Sequence, residues 1–315
     1  MTKAETPDAG SEKLPIPRLD SPSRQELLLR ITNSRKPFIL SGSVKHWAAS
    51  SWTPEHFKKV AGESMVDALV DLPRYGMPYF WSDKNYGRTM RFAELIDKMS
   101  YDSASQCYLA QKNINAFPSL KSDFDFGEIT PKLGARETST SFWMGTGGTH
   151  SGLHFDRRDN VLVQLYGHKS VILAAPGQAQ YLYPIHDMFE KSSVDPSKPD
   201  LHRHPKFRKA ELYQAVIRPG DALFIPQLWW HYLESRDTSI SLNHWYGDEC
   251  SLKDLARMMS AGGVTIWATV LRDAFWYGVC KRPYRTRLRS DMPSGLFMYD
   301  VVSKGIKRRV GIRSV

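Results

Sequence analysis

Three side chains in this sequence have the chemistry and spacing to hold a metal ion. The run Ser151-Gly152-Leu153-His154-Phe155-Asp156 alternates as a strand. Residues i and i+2 of a strand share a face, so His154 and Asp156 point together, with Leu153 and Phe155 opposite. An imidazole beside a carboxylate supplies two members of a 2-His-1-carboxylate triad, the ligand set of ferrous oxygenases. The third member is His231, 75 residues after Asp156, on a strand that follows the Pro219-Gly220-Asp221 turn. Three protein ligands leave iron with open positions. A bidentate 2-oxo acid can take two of them and O2 the last.

An H-x-D pair is common on surfaces and in cores, so its surroundings matter. Asn160 follows His154 by six residues and Lys169 by fifteen. Lys169 opens a strand after the Gly167 turn. An ammonium turned into the interior is costly to bury alone, so an inward Lys169 requires an anion. The far carboxylate of a 2-oxo acid would be that anion, with Arg157 or Arg158 as the next candidates for an anion site. An outward Lys169 at a strand start is the competing reading.

Short apolar runs separated by Gly, Pro and Asp position these residues. They are Thr140–Gly145, Gly152–Asp156, Asn160–Tyr166, Lys169–Ala175, Leu212–Ile217, Asp221–Pro226, His231–Glu234 and Ser239–Tyr246. Their density predicts an antiparallel sandwich or barrel. The connection Gln178–Lys209 reads as a lid-like insertion. Upstream, Ser23 caps a short helix to Ile31, Lys36–Ser41 reads as a strand, and Thr53-Pro54-Glu55 opens a helix to Val60. Phe92–Met99 is a further helical stretch. Downstream, Ser251–Met259 and Val264–Val279 are helical. The second carries an apolar stripe of Trp267, Val270, Leu271, Ala274 and Phe275, which either packs on the core or pairs with a second copy of the chain.

Other residues invite chemistry without supporting it. Gly145-Thr146-Gly147-Gly148-Thr149-His150 fails as a dinucleotide loop, because position 150 is His and a strand follows rather than a helix. No G-x-S-x-G occurs. His150 reads as a loop or pocket-rim residue, His202 and His204 lie in the insertion, and His244 faces away from Asn243 and Trp245.

Composition narrows the class. The chain has 315 residues, 41% hydrophobic and 24% charged, which excludes global disorder. Three cysteines with no C-x-x-C exclude a disulfide scaffold and a cysteine-built zinc site, and fit a reducing compartment. The first twelve residues carry no apolar secretory stretch, and Gly262–Cys280 is too short and too charged to span a bilayer. These points predict a cytoplasmic protein, or a nuclear one in a eukaryote. Net charge is +10, of which +8 lies between Lys281 and Val315. That basic segment is a surface for nucleic acid, acidic peptide or anionic membrane, or a solvated face.

The blocks H-F-D-x-x-x-N-x-L-x-Q-x-x-G-x-K, A-P-x-x-x-x-Y-L-Y-P, P-G-D-x-L-F-I-P-x-x-W-W-H-x-x-x-S and S-I-S-L-N-x-W-Y occur in order between His154 and Tyr246. In this the chain resembles the Jumonji C hydroxylases of the cupin superfamily, with their asparaginyl-hydroxylase and tRNA-hydroxylase branches. The resemblance covers roughly Arg35 to Asp248. It implies a mainly β fold with added helices around a double-stranded β-helix (jelly roll, cupin-like) core. The pattern along the chain predicts a loose tail over 1–14, an N-terminal α/β extension over 15–138, a jelly-roll catalytic core over 139–250, and C-terminal helices with a basic tail over 251–315. By position, His154, Asp156 and His231 match iron ligands. Lys169 matches the lysine that pairs with the 5-carboxylate of 2-oxoglutarate, and Ser151 and Tyr108 match hydroxyl groups near the same carboxylate. Asn160 and Asn243 match amides lining the site.

The implied activity is an Fe(II)- and 2-oxoglutarate-dependent dioxygenase that uses O2 to hydroxylate a C–H bond, with no catalytic residue beyond the iron centre. H-x-D rather than H-x-E leans toward stable hydroxylation over demethylation. A protein or peptide side chain is the expected substrate. The alternatives are a tRNA nucleoside engaged through the basic C-terminal segment, a small molecule or natural product, and a non-catalytic cupin-type binding module. A homodimer through the C-terminal helices is a further expectation.

Overall fold

The computed structural model describes residues 13–73, 85–101, 105–131, 138–284 and 292–309, with backbone alone for 304–309. Its strands are β1 (Lys13–Pro15), β2 (Arg18–Asp20), β3 (Phe38–Ser41), β4 (Met65–Leu72), β5 (Gly87–Arg91), β6 (Gln106–Asn113), β7 (Ser139–Gly145), β8 (His154–Phe155), β9 (Asp159–Tyr166), β10 (Lys169–Ala174), β11 (Pro184–Ile185), β12 (Met188–Ser192), β13 (Leu212–Ile217), β14 (Ala222–Ile225), β15 (Trp230–Ser235) and β16 (Ser239–Tyr246). They form a seven-stranded sheet, β1-β13-β10-β15-β8-β12-β11, and a nine-stranded sheet, β2-β3-β14-β9-β16-β7-β6-β4-β5.

Apolar residues join the two inner faces. Ile39, Leu162, Leu223 and Ile225 of the larger sheet pack with Val171, Leu173, Ile217 and Leu233 of the smaller one. Buried Asp221 ties the Pro-Gly-Asp turn together. Its carboxylate accepts from Arg18, from the Gly42 amide and from the Arg218 amide. Helices α1 (Arg24–Leu29), α2 (Pro54–Ala61) and α3 (Phe92–Tyr101) precede the central strands. Phe57 of α2 and Phe92 of α3 pack with Trp52, Phe117 and Phe142 in an aromatic cluster against the larger sheet. Helices α4 (Leu252–Gly262) and α5 (Val264–Asp273) place Leu255, Met258, Met259, Ile266 and Val270 against Phe155, Trp230 and Tyr232 of the smaller sheet. A last helix, α6, spans Ser294–Arg309.

The helix starts follow their sequence signals. Ser23 and Glu26 form a reciprocal capping box, and Thr53 caps α2 with Pro54 at its first position. The chain is mainly β with added helices, but the expected closed jelly-roll core is corrected. The smaller sheet ends at β1 and β11 and the larger at β2 and β5, with no ladder joining their edges among the described residues. Both sheets are open. The cause lies in strands outside the expected core. β1 and β2 add in parallel to β13 and β3, while β4, β5 and β6 prolong the larger sheet beyond β7. Alternation in sequence sets which side chains face inward, but not where a sheet stops.

Other differences are local. The strand expected over Gly152–Asp156 shrinks to two residues, because Gly152 adopts φ +75 and breaks the extended run. The insertion contributes β11 and β12, and β12 pairs with β8. The stripe on α5 splits. Val270 is buried, but Leu271 and Phe275 are exposed, since the helix packs through Ile266, Val270 and Asp273. Of the expected tail, residues 1–12 lie outside the described residues. So do 285–291, 310–315 and the side chains of 304–309 in the basic segment.

Gly167 joins β9 to β10 at φ +66, and a Cβ there would lie 2.1 Å from the Thr238 carbonyl oxygen. Gly167→Ala therefore combines left-handed strain with a backbone clash. We expect a loss of at least about 2 kcal/mol, read as a lowered urea midpoint. An unchanged midpoint would show that the turn relaxes freely.

Candidate metal centre

The expected metal ligands converge between the two sheets. β8 and β15 pair antiparallel with His154 opposite His231, and the two rings lie 4.2 Å apart between centroids. Asp156 sits just beyond β8, where its backbone carbonyl accepts from the Leu228 amide at 2.8 Å. One ligand atom each from His154, Asp156 and His231 lies within 4.8 Å of the other two, a grouping able to hold a metal ion. Among the described residues no other group of His, Cys, Asp or Glu does so.

Backbone contacts fix the imidazole faces. His154 Nδ1 donates to the Gly152 carbonyl and His231 Nδ1 to the Trp229 carbonyl, each at 3.0 Å. With Nδ1 protonated, neutral imidazole presents a bare Nε2 lone pair, which is the metal-binding form. Burial first, and then the neighbouring His231, push the His154 pKa far below its ordinary value. The carboxylate is held as firmly. Trp245 Nε1 donates to Asp156 Oδ2 at 2.7 Å and Asn160 Nδ2 donates to the same oxygen at 3.1 Å. Asn243 in turn donates to Asn160 Oδ1 at 3.0 Å. His231 Nε2 lies 3.6 Å from Asp156 Oδ2.

A cavity runs inward from this cluster, lined by Tyr108, Trp143, Ser151, Lys169, Asn243 and Trp245 together with all three candidate ligands. Lys169 is 3% exposed and forms no ion pair among the described residues. Burial alone lowers its pKa to about 7. Its Nζ lies 6.0 Å from the Tyr108 ring centroid. The Ser151 hydroxyl donates to the Gly152 carbonyl and accepts from the Leu233 amide. Asn160 does not line the cavity; it sits behind Asp156 and orients it.

An outer cleft of about 310 Å³ opens on the other side of His154 and Asp156. Gln111, Trp143, Arg157, Glu190, Lys191, Trp245, Met292 and Phe297 line it. Gln111, Glu190, Lys191 and Phe297 escape sequence reasoning, since they come from β6, from the insertion and from α6. Arg157 and Trp245 are legible in the sequence: Arg157 adjoins Asp156 as a candidate for an anion site, and Trp245 shares a strand face with Asn243 by its i, i+2 spacing.

The remaining histidines lie elsewhere. His150 is no rim residue; it is buried behind β15, its Nδ1 accepting from the Gly152 amide and its ring 5.1 Å from Tyr232. A tight turn folds it inward, which loop composition does not reveal. His204 meets Ser193 rather than a metal cluster. His244 bonds Thr140 and stacks on Phe126, on the face opposite Asn243 and Trp245. No helix among the described residues is long and apolar enough to cross a membrane.

The cupin-like domain family matches residues 24–251 of this chain. The chain is 30% identical to Jumonji C domain-containing protein 5 of Drosophila melanogaster over 245 residues, 73% of this chain and 59% of that protein. It is 31% identical to lysine-specific demethylase 8 of Xenopus tropicalis over 238 residues, covering 73% of this chain and 52% of the relative. Identity to human tRNA wybutosine-synthesizing protein 5 is 29% over 250 residues, 74% of this chain and 78% of that protein. The chain thus spans little more than half the length of the first two relatives. With the family match over most of its length and a His154, Asp156 and His231 cluster able to hold a metal ion inside the matched residues, the chain belongs to the cupin-like, Jumonji C family of Fe(II)-dependent hydroxylases.

Proposed function

We propose that the chain is an Fe(II)- and 2-oxoglutarate-dependent oxygenase that hydroxylates a C–H bond of a protein or peptide side chain. The balance is one substrate C–H, O2 and 2-oxoglutarate converted to C–OH, succinate and CO2. One observation carries the reading: a metal-binding triad and a buried ammonium with no counter-ion among the described residues line the same cavity.

The donor set fits ferrous iron, with two neutral imidazoles and one carboxylate. Bound iron would supply the O2 chemistry. His154, Asp156 and His231 would hold it through Nε2 and carboxylate oxygen. Trp245 and Asn160 fix the Asp156 rotamer, so the carboxylate needs no reorganisation on binding. Lys169 would pair with the far carboxylate of 2-oxoglutarate, beside Tyr108 and Ser151. Asn243 lines the same cavity and positions Asn160. The apolar walls of Trp143, Leu162 and Leu233 keep water from the reacting atoms. None of these roles requires a protein general base.

A protein substrate suits the outer cleft, whose charged lining is balanced in sign. A tRNA substrate is the second reading. The +8 carried between Lys281 and Val315 favours it, as does the relative named for wybutosine synthesis.

His154→Ala and His231→Ala should each weaken Mn(II) or Fe(II) binding at least tenfold in anaerobic calorimetry and remove succinate formation, and Asp156→Ala should do the same. Full turnover in any of them would reject the triad, and an intact wild-type metal site without succinate would favour the binding-module alternative.

Lys169 generates a paired prediction. Lys169→Met removes an unpaired buried charge, so the ligand-free protein should melt higher. The same change should raise the 2-oxoglutarate requirement roughly a hundredfold, the equivalent of about 3 kcal/mol. A lowered melting temperature with unchanged co-substrate affinity would contradict both halves.

The pH dependence follows from the same group. The folded pKa of about 7 lies below the unfolded value of 10.5, so the unfolded chain binds more protons between those limits. Lys169 thus contributes increasing stability to the ligand-free protein as pH rises through that window. Affinity for 2-oxoglutarate should move the other way, weakening up to about tenfold per pH unit above 7 as the ammonium is lost. Calorimetric titration across pH 6.5–8.5 checks this, and a flat profile would place the anion site elsewhere.

A further inference from the structure

Two polar side chains of the outer cleft leave hydrogen-bonding groups unmatched among the described residues. Arg157 directly follows Asp156. Its guanidinium lies over the Phe297 ring, 3.6 Å from the centroid, a cation–π contact that fixes its plane. Its Nη1 is buried and makes no hydrogen bond among the described residues. A guanidinium carries five donors and no acceptor, and a desolvated donor left unmatched is costly. Gln111 adopts φ +52, in the left-handed region, where the β6–β7 register shifts between Leu109 and Lys112. A bulge of this kind re-aims a side chain, and strain at a non-glycine position concentrates at functional sites. Here it leaves Gln111 exposed at the lining of the cleft.

The fold holds the far wall in place. α6, which carries Phe297, is latched to the insertion by Ser294. Its amide donates to the Asp187 carbonyl at 2.9 Å and its hydroxyl to Glu190 at 2.7 Å, while the Phe189 amide donates to that hydroxyl at 3.2 Å. Arg157 is therefore a preorganised anchor rather than a loose surface charge.

The charged lining consists of Arg157 and Lys191 against Asp156 and Glu190. A groove that tracks a phosphate backbone needs a run of uncompensated cations. This cleft is lined by one guanidinium whose Nη1 is unmatched among the described residues and by one side-chain amide, the donor set for a single carboxylate beside a peptide group. We propose that Arg157 is the specificity-determining residue of the outer cleft. It pairs with an Asp or Glu side chain of a polypeptide substrate, a fixed number of residues from the hydroxylated one, while Gln111 bonds the adjoining peptide group. The inference rests on the hydroxylase reading and deepens it to a substrate class.

The test uses the chain with a synthetic peptide library randomised over six positions. Binding is read on the Mn(II)-loaded chain, and oxygen gain is read by mass spectrometry with Fe(II), 2-oxoglutarate and air. Bound and oxidised peptides should share Asp or Glu at one offset, about tenfold or more over Lys and Arg there. Arg157→Glu should reverse the preference to Lys and Arg, a gain that a misfolded chain cannot show. Arg157→Gln should flatten it. An acidic preference that survives both substitutions overturns the proposal. So does the absence of any offset preference in the wild type, or oxygen gain by a tRNA pool that no peptide matches. Failure of the hydroxylase reading looks different: acidic peptides would still bind the Mn(II)-loaded chain, but the iron-loaded chain would form no succinate.

Discussion

Two sheets that share no ladder meet at one carboxylate, and the site depends on that meeting. Asp156 follows β8 of the smaller sheet. Its Oδ2 accepts from Asn160 on β9 and Trp245 on β16, both in the larger sheet. His154 and His231 belong to the smaller sheet and are held by carbonyls of their own segments. The distance between Asp156 and the imidazoles is therefore set by how the sheets pack, through Leu162, Leu223 and Ile225 against Val171, Leu173 and Leu233. A dense apolar interface transmits such a constraint with little slack. Leu162 and Leu233 of that interface also line the cavity beside Tyr108, Ser151 and Asn243.

That arrangement explains which parts were legible in the sequence. Strand alternation is a local property, so the shared face of His154 and Asp156 and the opposed faces of His244 and Asn243 follow directly from spacing. Caps at Ser23 and Thr53 are local too. Sheet edges are not local. Whether β4, β5 and β6 continue a sheet or form a separate layer depends on pairing with β7, and nothing in their own composition states the partner. The closed core was expected for that reason, and the open sheets were not. The outer cleft was hidden for the same reason. Gln111, Glu190 and Phe297 come from three segments with no common motif, brought together by a bulge, by the β8–β12 pairing and by the Ser294 latch.

The electrostatics of the cavity have one direction. Lys169 loses hydration without gaining a carboxylate, and burial holds His154 neutral, so the ligand-free interior is short of negative charge near the lysine and ready for a cation at the triad. The buried ammonium of Lys169 destabilises the ligand-free protein. Together the triad and this lysine match a metal cation at one end and an organic dianion reaching from it to the ammonium at the other. Buried groups whose partners are missing from the fold are where stability has been given up for binding.

The outer cleft extends this logic with a different balance. Around the triad the fold supplies every orienting hydrogen bond itself, from backbone carbonyls, Asn160 and Trp245. In the outer cleft it supplies the position of Arg157 through Phe297 but leaves Nη1 without an acceptor. A site that completes its own contacts around the metal and leaves them incomplete on the far side separates two tasks. The inner contacts are common to any C–H bond brought to iron, while the incomplete ones decide which molecule brings it. Arg157 and Gln111 make this distinction, and α6 and the insertion, two elements outside the strand blocks forming the metal centre, build the wall that holds Arg157 through Phe297. Changes confined to that wall can therefore shift the plane of Arg157 while the geometry of His154, Asp156 and His231 stays as it is.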